Sequence, residues 1–426
     1  MMRKENLLDL DNRKGKAPGG YCTEYPFQRL PFIFMNAVGT HSDVQTMIHE
    51  GGHAFHVFES AELPFSSQRD VGMEFAEVAS MAMELLASPY LTVDRSIEKV
   101  IVPIADKLLK NRKEALGLEK LKPWDLSVDI YGREPLAPFK DAGDLEDKCH
   151  NIFKSVDPIL GEYFGVMRKE NLLDLDNRKG KAPGGYCTEY PFQRLPFIFM
   201  NAVGTHSDVQ TMIHEGGHAF HVFESAELPF SSQRDVGMEF AEVASMAMEL
   251  LASPYLTVDN GGFYTDKESS RARIEHLEKI IMFWPYMAVV DAFQHWAYTN
   301  PDKALNPDNC DSEWSDLWKR FQMSEHIDYS DCDDIISTGW HNKLHIYHVP
   351  FYYVEYGMAQ LGSIQIWGNS LRDRKKAIQD YRAALSLGGN ATLPELYEAA
   401  GAKFSFDDET LLNAANLIEE QISDLS

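Results

Sequence analysis

A long internal repeat is the feature of this sequence that most constrains its fold. Residues Met2–Asp94 recur letter for letter as Met167–Asp259. Repeats of solenoid proteins have periods of roughly 20–50 residues, and their units differ from one another. An identical copy of this length instead indicates a recent tandem duplication, an engineered fusion or an error in sequence assembly.

The sequence around the two copies indicates which of them lies in its native position. Residues 95–164 predict a helical lead-in, which begins RSIEKVIVPIADKLLKNRKEALGLEKL and runs directly into the second copy. The second copy then continues into a long aromatic-rich region, whereas the first copy has no lead-in of its own. We therefore divide the chain into a duplicated fragment, residues 1–94, and a main domain, residues 95–426.

Composition and charge exclude several classes of function. The net charge of −25 argues against a nucleic-acid partner, because there is no surplus of cations to neutralise phosphates. No run of about 18 apolar residues predicts a membrane span, and the first residues do not resemble a secretory signal. The five scattered cysteines are typical of reduced thiols. We expect a soluble, cytoplasmic protein.

Hydrophobic periodicity predicts a mainly α protein with a small β-sheet. The run PFIFMNAVG, residues 196–204, is short, apolar and ended by glycine, as is typical of a strand. Ser207 and Asp208 offer N-cap chemistry to the helix that follows. Further helices are predicted over residues 97–117, 235–253, 272–298 with a candidate kink at Pro285, 373–389 and 407–425.

The stretch TMIHEGGHAFHVFES, residues 211–225 and again 46–60, contains an H-E-x-x-H motif. His214 and His218 are four residues apart, so a helix places both imidazoles on one face, where they can bind one Zn²⁺. Glu215 is placed to act on a water bound to that zinc. A pair of histidines in ordinary packing or in solvent is the alternative interpretation.

The next predicted helix offers a third metal ligand. Glu239 and Glu242 are three residues apart and share a helix face. Glu242 lies in the otherwise apolar stretch FAEVASMAM, where a carboxylate needs a partner. Zinc would be such a partner, and Glu239 could orient one of the histidines. A solvated helix face is the alternative for either glutamate.

HEGGHAFH followed by EFAEVAS resembles the oligoendopeptidase F and thimet oligopeptidase family of zinc peptidases. The resemblance implies a mainly α, zincin-like (gluzincin) catalytic domain over residues 95–426. It also implies that His214, His218 and Glu242 bind zinc and that Glu215 is the general base. The helical region that family members carry upstream has no counterpart ahead of this domain, which puts the selection of substrate length in doubt.

Two further segments are similar to parts of that family. HIYHVPFYYVEYGMAQLG, residues 345–362, resembles its C-terminal His/Tyr segment and implies that His345, Tyr352 and Tyr356 stabilise the oxyanion. Tyr353 and His348 compete for these roles, and core packing is the alternative for a Tyr-rich helix. GKAPGGYC, residues 180–187, resembles the glycine-rich loop near the cleft, although it could be an ordinary flexible loop. The strand at 196–204 is predicted to pair with substrate backbone.

The implied function is a zinc-dependent endopeptidase that hydrolyses internal bonds of short unfolded oligopeptides, with no nucleic-acid or membrane partner. One alternative is an inactive, zinc-binding product of truncation and duplication. Another is an exopeptidase of the same zincin class. The first copy contains His49, Glu50, His53 and Glu77, and the sequence leaves open whether these bind metal. We expect little activity there, because the first copy has no His/Tyr segment.

Overall fold

The fold comprises two compact units, Met1–Val93 and Asp94–Ser426. The structure is a computed structural model. It describes the chain except for residues 1, 3–4, 6, 12, 14–15, 17–19, 38–40, 70–76, 79, 81–92, 323–324 and 331.

The first unit contains a three-stranded sheet and a long helix. Its described strands and helices are β1 (Leu8–Asp11), β2 (Gly20–Tyr25), β3 (Leu30–Ala37), α1 (His41–Ser60) and α2 (Ser66–Arg69). The order in the sheet is β1-β3-β2. Ile33, Met35 and Ala54 form its small buried core.

The second unit is mainly helical and begins with a π-helical turn, Ile97–Ile101. Its first elements are α3 (Val102–Leu116), α4 (Ala142–Val156), α5 (Pro158–Lys169), β4 (Leu173–Asp176), β5 (Gly185–Tyr190), β6 (Leu195–Ala202), α6 (His206–Ser225), α7 (Ser231–Arg234) and α8 (Met238–Ala252). They are followed by α9 (Asp266–Thr299), α10 (Pro301–Ala304), α11 (Pro307–Phe321), α12 (Asp333–Ser337), α13 (Leu344–His348), α14 (Tyr353–Arg372), α15 (Arg374–Ser386), α16 (Leu393–Ala399) and α17 (Asp408–Leu425). The predicted class, mainly α with a small sheet, is confirmed.

The predicted strand at residues 196–204 is β6, but its predicted role is wrong. The sheet order is β4-β6-β5, so β6 lies in the centre. Both of its edges are occupied, by β4 in parallel and by β5 in antiparallel register. A peptide cannot add to a central strand, and within the described sheet the edges available for addition belong to β4 and β5.

The ends of the helices show where local sequence signals decide the structure. Helix α3 ends at Gly117, which adopts φ 66°, a left-handed conformation that glycine tolerates best. The N-cap predicted for α6 is wrong by two residues, because Thr205 takes that position. Its side chain and that of Asp208 form a capping box. Ser207 lies inside the first turn.

Helix α8 begins at Met238 rather than Asp235, and Pro285 lies within the continuous helix α9.

The lead-in before the second copy completes that copy's core. Phe153 and Phe164, from α4 and α5, are fully buried with Phe220 of α6. The rings of Phe153 and Phe220 meet edge to face at 4.9 Å. Such packing stabilises a helix pair, and the residues that supply it lie outside the repeated block. In the described part of the chain, no helix is long and apolar enough to cross a membrane.

Candidate active site

Two adjacent glycines bring the motif helix α6 close to its neighbours. A Cβ atom at Gly217 would lie 2.5 Å from Cα of Ser245 and 2.8 Å from the carbonyl oxygen of Ala244, both in α8. A Cβ atom at Gly216 would lie 2.5 Å from the ring of Phe153. The sequence HEGGH therefore lets α6 pass α8 backbone to backbone, which places Glu242 of α8 beside the two histidines.

The three predicted metal ligands lie together. Ligand atoms of His214, His218 and Glu242 are all within 4.8 Å of one another. Nε2 of His214 is 3.5 Å from Oε2 of Glu242, and the two imidazole rings stand nearly perpendicular, with centroids 4.9 Å apart. Two imidazoles and one carboxylate are a ligand set that catalytic zinc sites use, with a position left for water.

A second carboxylate holds the other side of the first histidine. Nδ1 of His214 is 2.6 Å from Oε1 of Glu249, and Oε2 of Glu249 is 2.9 Å from Nε2 of His276 on α9. At His214 this contact is made by Glu249 and not by Glu239, so the predicted orienting role of Glu239 is not needed for this ring. Glu249 lies two helical turns after Glu242 in the same apolar helix, and that spacing was the signal that could have identified it.

The charges of these groups favour a cation between them. Burial acts to lower the pKa of His214, but the adjacent Glu242 and Glu249 carboxylates more than offset it and raise that pKa to about 10. Burial, together with the charge on His214, lowers the pKa of His218 to about 4. Two buried carboxylates, Glu242 and Glu249, thus face the single positive charge of the protonated His214 ring, which leaves negative charge in excess. Buried charges of one sign need a partner of the other, and a divalent cation would fit this donor set.

Glu215 is buried and faces the backbone of strand β5. Only 6% of it is exposed, and burial raises its pKa to about 7. Its carboxylate accepts a hydrogen bond from the backbone N–H of Cys187 in β5. The same helix that carries the two histidines thus carries a carboxylate whose pKa suits proton transfer at neutral pH.

The predicted His/Tyr segment forms an aromatic cluster near Glu242. Oη of Tyr356 is 3.5 Å from Nε2 of His345, and the ring of Tyr352 stacks parallel to that of His345, with centroids 6.2 Å apart. Burial and the charge of Glu242 raise the pKa of both tyrosines above the ordinary range. Burial and the charge of Lys343 lower the pKa of His345. All three groups are therefore neutral near pH 7 and can donate hydrogen bonds.

The two competing residues of this segment, Tyr353 and His348, differ in burial. Tyr353 is buried, and its ring contacts Phe283 and Tyr286, while its hydroxyl accepts a hydrogen bond from Nζ of Lys343 at 3.4 Å. His348 is exposed. The Tyr353 ring also meets that of His345 edge to face, with centroids 5.0 Å apart, so Tyr353 belongs to the same aromatic cluster and stays a competitor for these roles.

The glycine-rich segment leads into β5. Gly180 and Gly184 have φ values of +86° and +98°, which non-glycine residues rarely adopt. Gly185 then begins the strand, and it packs against α6, because a Cβ atom there would lie 2.7 Å from Cγ2 of Thr211. The glycines thus turn the chain so that β5 runs alongside the motif helix and reaches Glu215 at Cys187.

This combination of sheet, motif helix and carboxylate helix is matched by known proteins. The sequence profile of peptidase family M3 matches residues 1–99 and 148–415. The chain belongs to peptidase family M3. The expected family is therefore confirmed.

Individual M3 relatives support this assignment. The chain is 25% identical over 337 residues to oligopeptidase PepF of Bacillus subtilis, covering 76% of this chain and 47% of the relative. It is 22% identical over 297 residues to an oligoendopeptidase F homolog of Borreliella burgdorferi, covering 68% and 48%. This M3 chain thus spans about half the length of these relatives.

Structural comparison agrees with the sequence profile. A solved structure of PZ peptidase A with an inhibitor superposes with a TM-score of 0.72 and 29% identity. The superposition covers 90% of this M3 chain and 68% of the other. The expected zincin-like, mainly α fold is confirmed.

Proposed function

We propose that the second unit is a zinc-dependent endopeptidase that hydrolyses internal peptide bonds of short unfolded oligopeptides. The observation that carries the proposal is the convergence of His214, His218 and Glu242, with ligand atoms within 4.8 Å of one another, beside the buried Glu215. These four residues combine a metal-binding set with a base on a single helix pair.

His214, His218 and Glu242 would hold the metal, and Glu249 would fix the orientation of His214. When bound, zinc acidifies a water molecule and polarises the scissile carbonyl. Imidazole and carboxylate ligands favour zinc among the common divalent ions. Membership of peptidase family M3 supports this choice.

Glu215 would act as general base and then as general acid. It accepts a proton from the attacking water and later delivers that proton to the leaving amine. A pKa of about 7 allows the carboxylate to exist in both protonation states at neutral pH. The hydrogen bond from the Cys187 N–H fixes the carboxylate for these transfers.

Strand β5 would bind the substrate. It lies at an edge of its sheet, and an extended peptide can add to such an edge through main-chain hydrogen bonds. The Cys187 N–H in β5 points to Glu215. A peptide bound along the edge of β5 would therefore pass close to this base. Only an unfolded segment can add a strand in this way, which supports short, unfolded peptides as substrates.

His345, Tyr352 and Tyr356 would donate hydrogen bonds to the oxyanion that develops on the scissile carbonyl. Nδ1 of His345 is buried and has no hydrogen-bond partner among the described atoms, and the hydroxyl of Tyr352 is buried beside that of Tyr356. Buried polar groups without partners are costly unless a ligand uses them. Such groups, fixed by packing before substrate arrives, stabilise a transition state effectively.

Cleavage of an internally quenched peptide with both ends blocked tests this function. We expect cleavage at an internal bond, loss of activity with a chelator and recovery when zinc is added. Fragment masses identify the bond. No cleavage by the zinc-loaded protein would favour the inactive alternative, and removal of residues only from the ends of unblocked peptides would favour the exopeptidase. The cytoplasmic location stays a prediction, which cell fractionation would test.

A further inference from the structure

The first unit rebuilds the scaffold that presents the metal ligands in the second. Strands β2 and β3 pair Tyr21 with Phe34, as β5 and β6 pair Tyr186 with Phe199. Nε of Arg69 donates a hydrogen bond to Oε1 of Glu24 at 3.2 Å, which ties α2 to β2. The matching bond in the second unit, from Arg234 to Glu189, is 3.0 Å long.

The ligand side chains of the first unit also converge. Nε2 of His49 is 3.3 Å from Nε2 of His53 and 3.4 Å from Oε2 of Glu77. Nε2 of His53 is 3.8 Å from Oε1 of Glu77. Two ligand atoms about 2.1 Å from a tetrahedral zinc ion lie about 3.4 Å apart. The separations of His49 from His53 and from Glu77 are within about 0.1 Å of that spacing, and one ligand atom of each of the three residues lies within 4.8 Å of the other two, so one ion fits between them.

We propose that His49, His53 and Glu77 bind a second zinc ion, so that each chain holds two. The family profile matches both copies, over residues 1–99 and 148–415. The second ion is a property of this duplicated chain. The inference rests on the proposed function only for the choice of zinc as the metal.

The first-unit site is weaker than the second-unit site. In the second unit, His214 is held by Glu249, which is held in turn by His276. His276 lies beyond the repeated block and has no copy in the first unit, and the copy of Glu249 lies outside the described residues. The second-unit site thus has in His276 a support that the repeated block does not include, and removal of a supporting partner of this kind typically lowers metal affinity ~10–100-fold.

The exposure of the third ligand weakens the first-unit site further. The side chain of Glu77 is 41% exposed, whereas that of Glu242 is 6% exposed. A ligand in contact with water exchanges its metal for water more easily than one fixed by its surroundings. The two sites therefore have ligands of the same residue types but differ in the contacts that hold those ligands in place.

Metal content measures this proposal directly. The full chain is equilibrated with excess zinc, passed over a desalting column and analysed for zinc and for protein. We expect two zinc ions per chain in the unchanged protein and one in the double variant H49A/H53A. The matched double variant H214A/H218A carries the same substitutions in an identical local sequence and also retains one.

The retained ions should differ in affinity. H214A/H218A keeps its zinc in the first unit, and H49A/H53A keeps its zinc in the second. We expect a competing chromophoric chelator to remove the first-unit zinc at a ~10–100-fold lower chelator concentration than it needs to remove the second-unit zinc. Circular dichroism spectra that match the unchanged protein show that each variant is folded.

Three results would overturn the proposal. They are one zinc ion in the unchanged protein, no loss of zinc in H49A/H53A, or loss of both ions in H214A/H218A. Each of these is a result about metal content, whereas the proposed peptidase function is judged by peptide cleavage. The two can therefore fail separately.

Discussion

Oε1 of Glu249 lies 2.6 Å from Nδ1 of His214, and Nε2 of the same ring faces Oε2 of Glu242 at 3.5 Å. The imidazole is thus held between two carboxylates of one helix, seven residues apart. Glu249 fixes the orientation of the imidazole ring, so that Nε2 is directed toward the other ligands. A histidine that binds metal commonly donates its other N–H to such a carboxylate.

Glu249→Gln is therefore expected to weaken zinc binding at the second-unit site. A neutral amide does not stabilise the imidazole in the same way, and we expect a ~10–100-fold loss of affinity. Competition with a chromophoric chelator measures it, in the H49A/H53A background so that one site titrates. Glu239→Gln on the same helix is the control. If Glu239→Gln weakened binding and Glu249→Gln did not, the role assigned to Glu249 would be wrong.

Gly216→Ala and Gly51→Ala make the same substitution in identical sequence but in different surroundings. A Cβ atom at Gly216 would lie 2.5 Å from the ring of Phe153, whereas one at Gly51 meets no atom of the described residues within 4 Å. We expect Gly216→Ala to lower the free energy of unfolding by ~1–3 kcal/mol through overpacking. We expect Gly51→Ala to have no such cost, since alanine favours a helix over glycine by ~1 kcal/mol.

Tryptophan fluorescence and far-ultraviolet circular dichroism during denaturation measure these two variants. All seven tryptophans lie in the second unit, so their fluorescence reports that unit alone. A Gly216→Ala protein as stable as the unchanged chain would contradict the close packing of α6 on Phe153.

Tyr356→Phe and Tyr353→Phe distinguish a tyrosine that donates a hydrogen bond to the oxyanion from one that serves packing. Loss of the Tyr356 hydroxyl removes a donor to the oxyanion, and we expect kcat to fall ~10²–10³-fold with little change in KM. Tyr353 packs against Phe283 and Tyr286, so its variant should retain kcat. Steady-state cleavage of the quenched peptide measures both, and equal kcat values for the two variants would refute the assignment.

Glu355 makes the stability of the second unit depend on pH. Burial, with Glu239 and Asp291 nearby, raises its pKa to about 8, and its Oε2 has no hydrogen-bond partner among the described atoms. Because the folded state holds this proton more tightly than the unfolded state, stability falls as pH rises from about 4.5 to 8.

Glu355→Gln should remove that penalty. We expect the variant and the unchanged protein to be similarly stable at pH 5 and the variant to be more stable, by up to about 5 kcal/mol, at pH 8.5. Denaturant titrations followed by tryptophan fluorescence give both values. A difference that stays constant with pH would show that Glu355 does not titrate in this way.

The parts of this site that the sequence predicts are those set by helical periodicity. The spacing of His214 and His218 on one helix, and a carboxylate at Glu242 in an apolar helix, are local patterns. The strand at residues 195–202 and the helix end at Gly117 likewise follow from local composition and from glycine.

Tertiary pairing decides the features that the sequence did not predict. Sheet order places β5 rather than β6 at the edge, and no pattern within either strand specifies that order. Glu249 contacts both His214 and His276, so three different helices meet at this carboxylate. Tyr353 differs from Tyr352 only in the neighbours that each side chain meets.

We expect the two identical motifs to differ in chemistry, because only the second lies between the helical lead-in and the His/Tyr segment. Glu215→Gln and Glu50→Gln test it with the same substitution in the same fifteen-residue sequence, using cleavage of the end-blocked quenched peptide. We predict that Glu215→Gln lowers kcat/KM ~10²–10⁴-fold, whereas Glu50→Gln leaves it within about twofold of the unchanged protein. Retained cleavage in Glu215→Gln, or an equal loss in Glu50→Gln, would contradict the account.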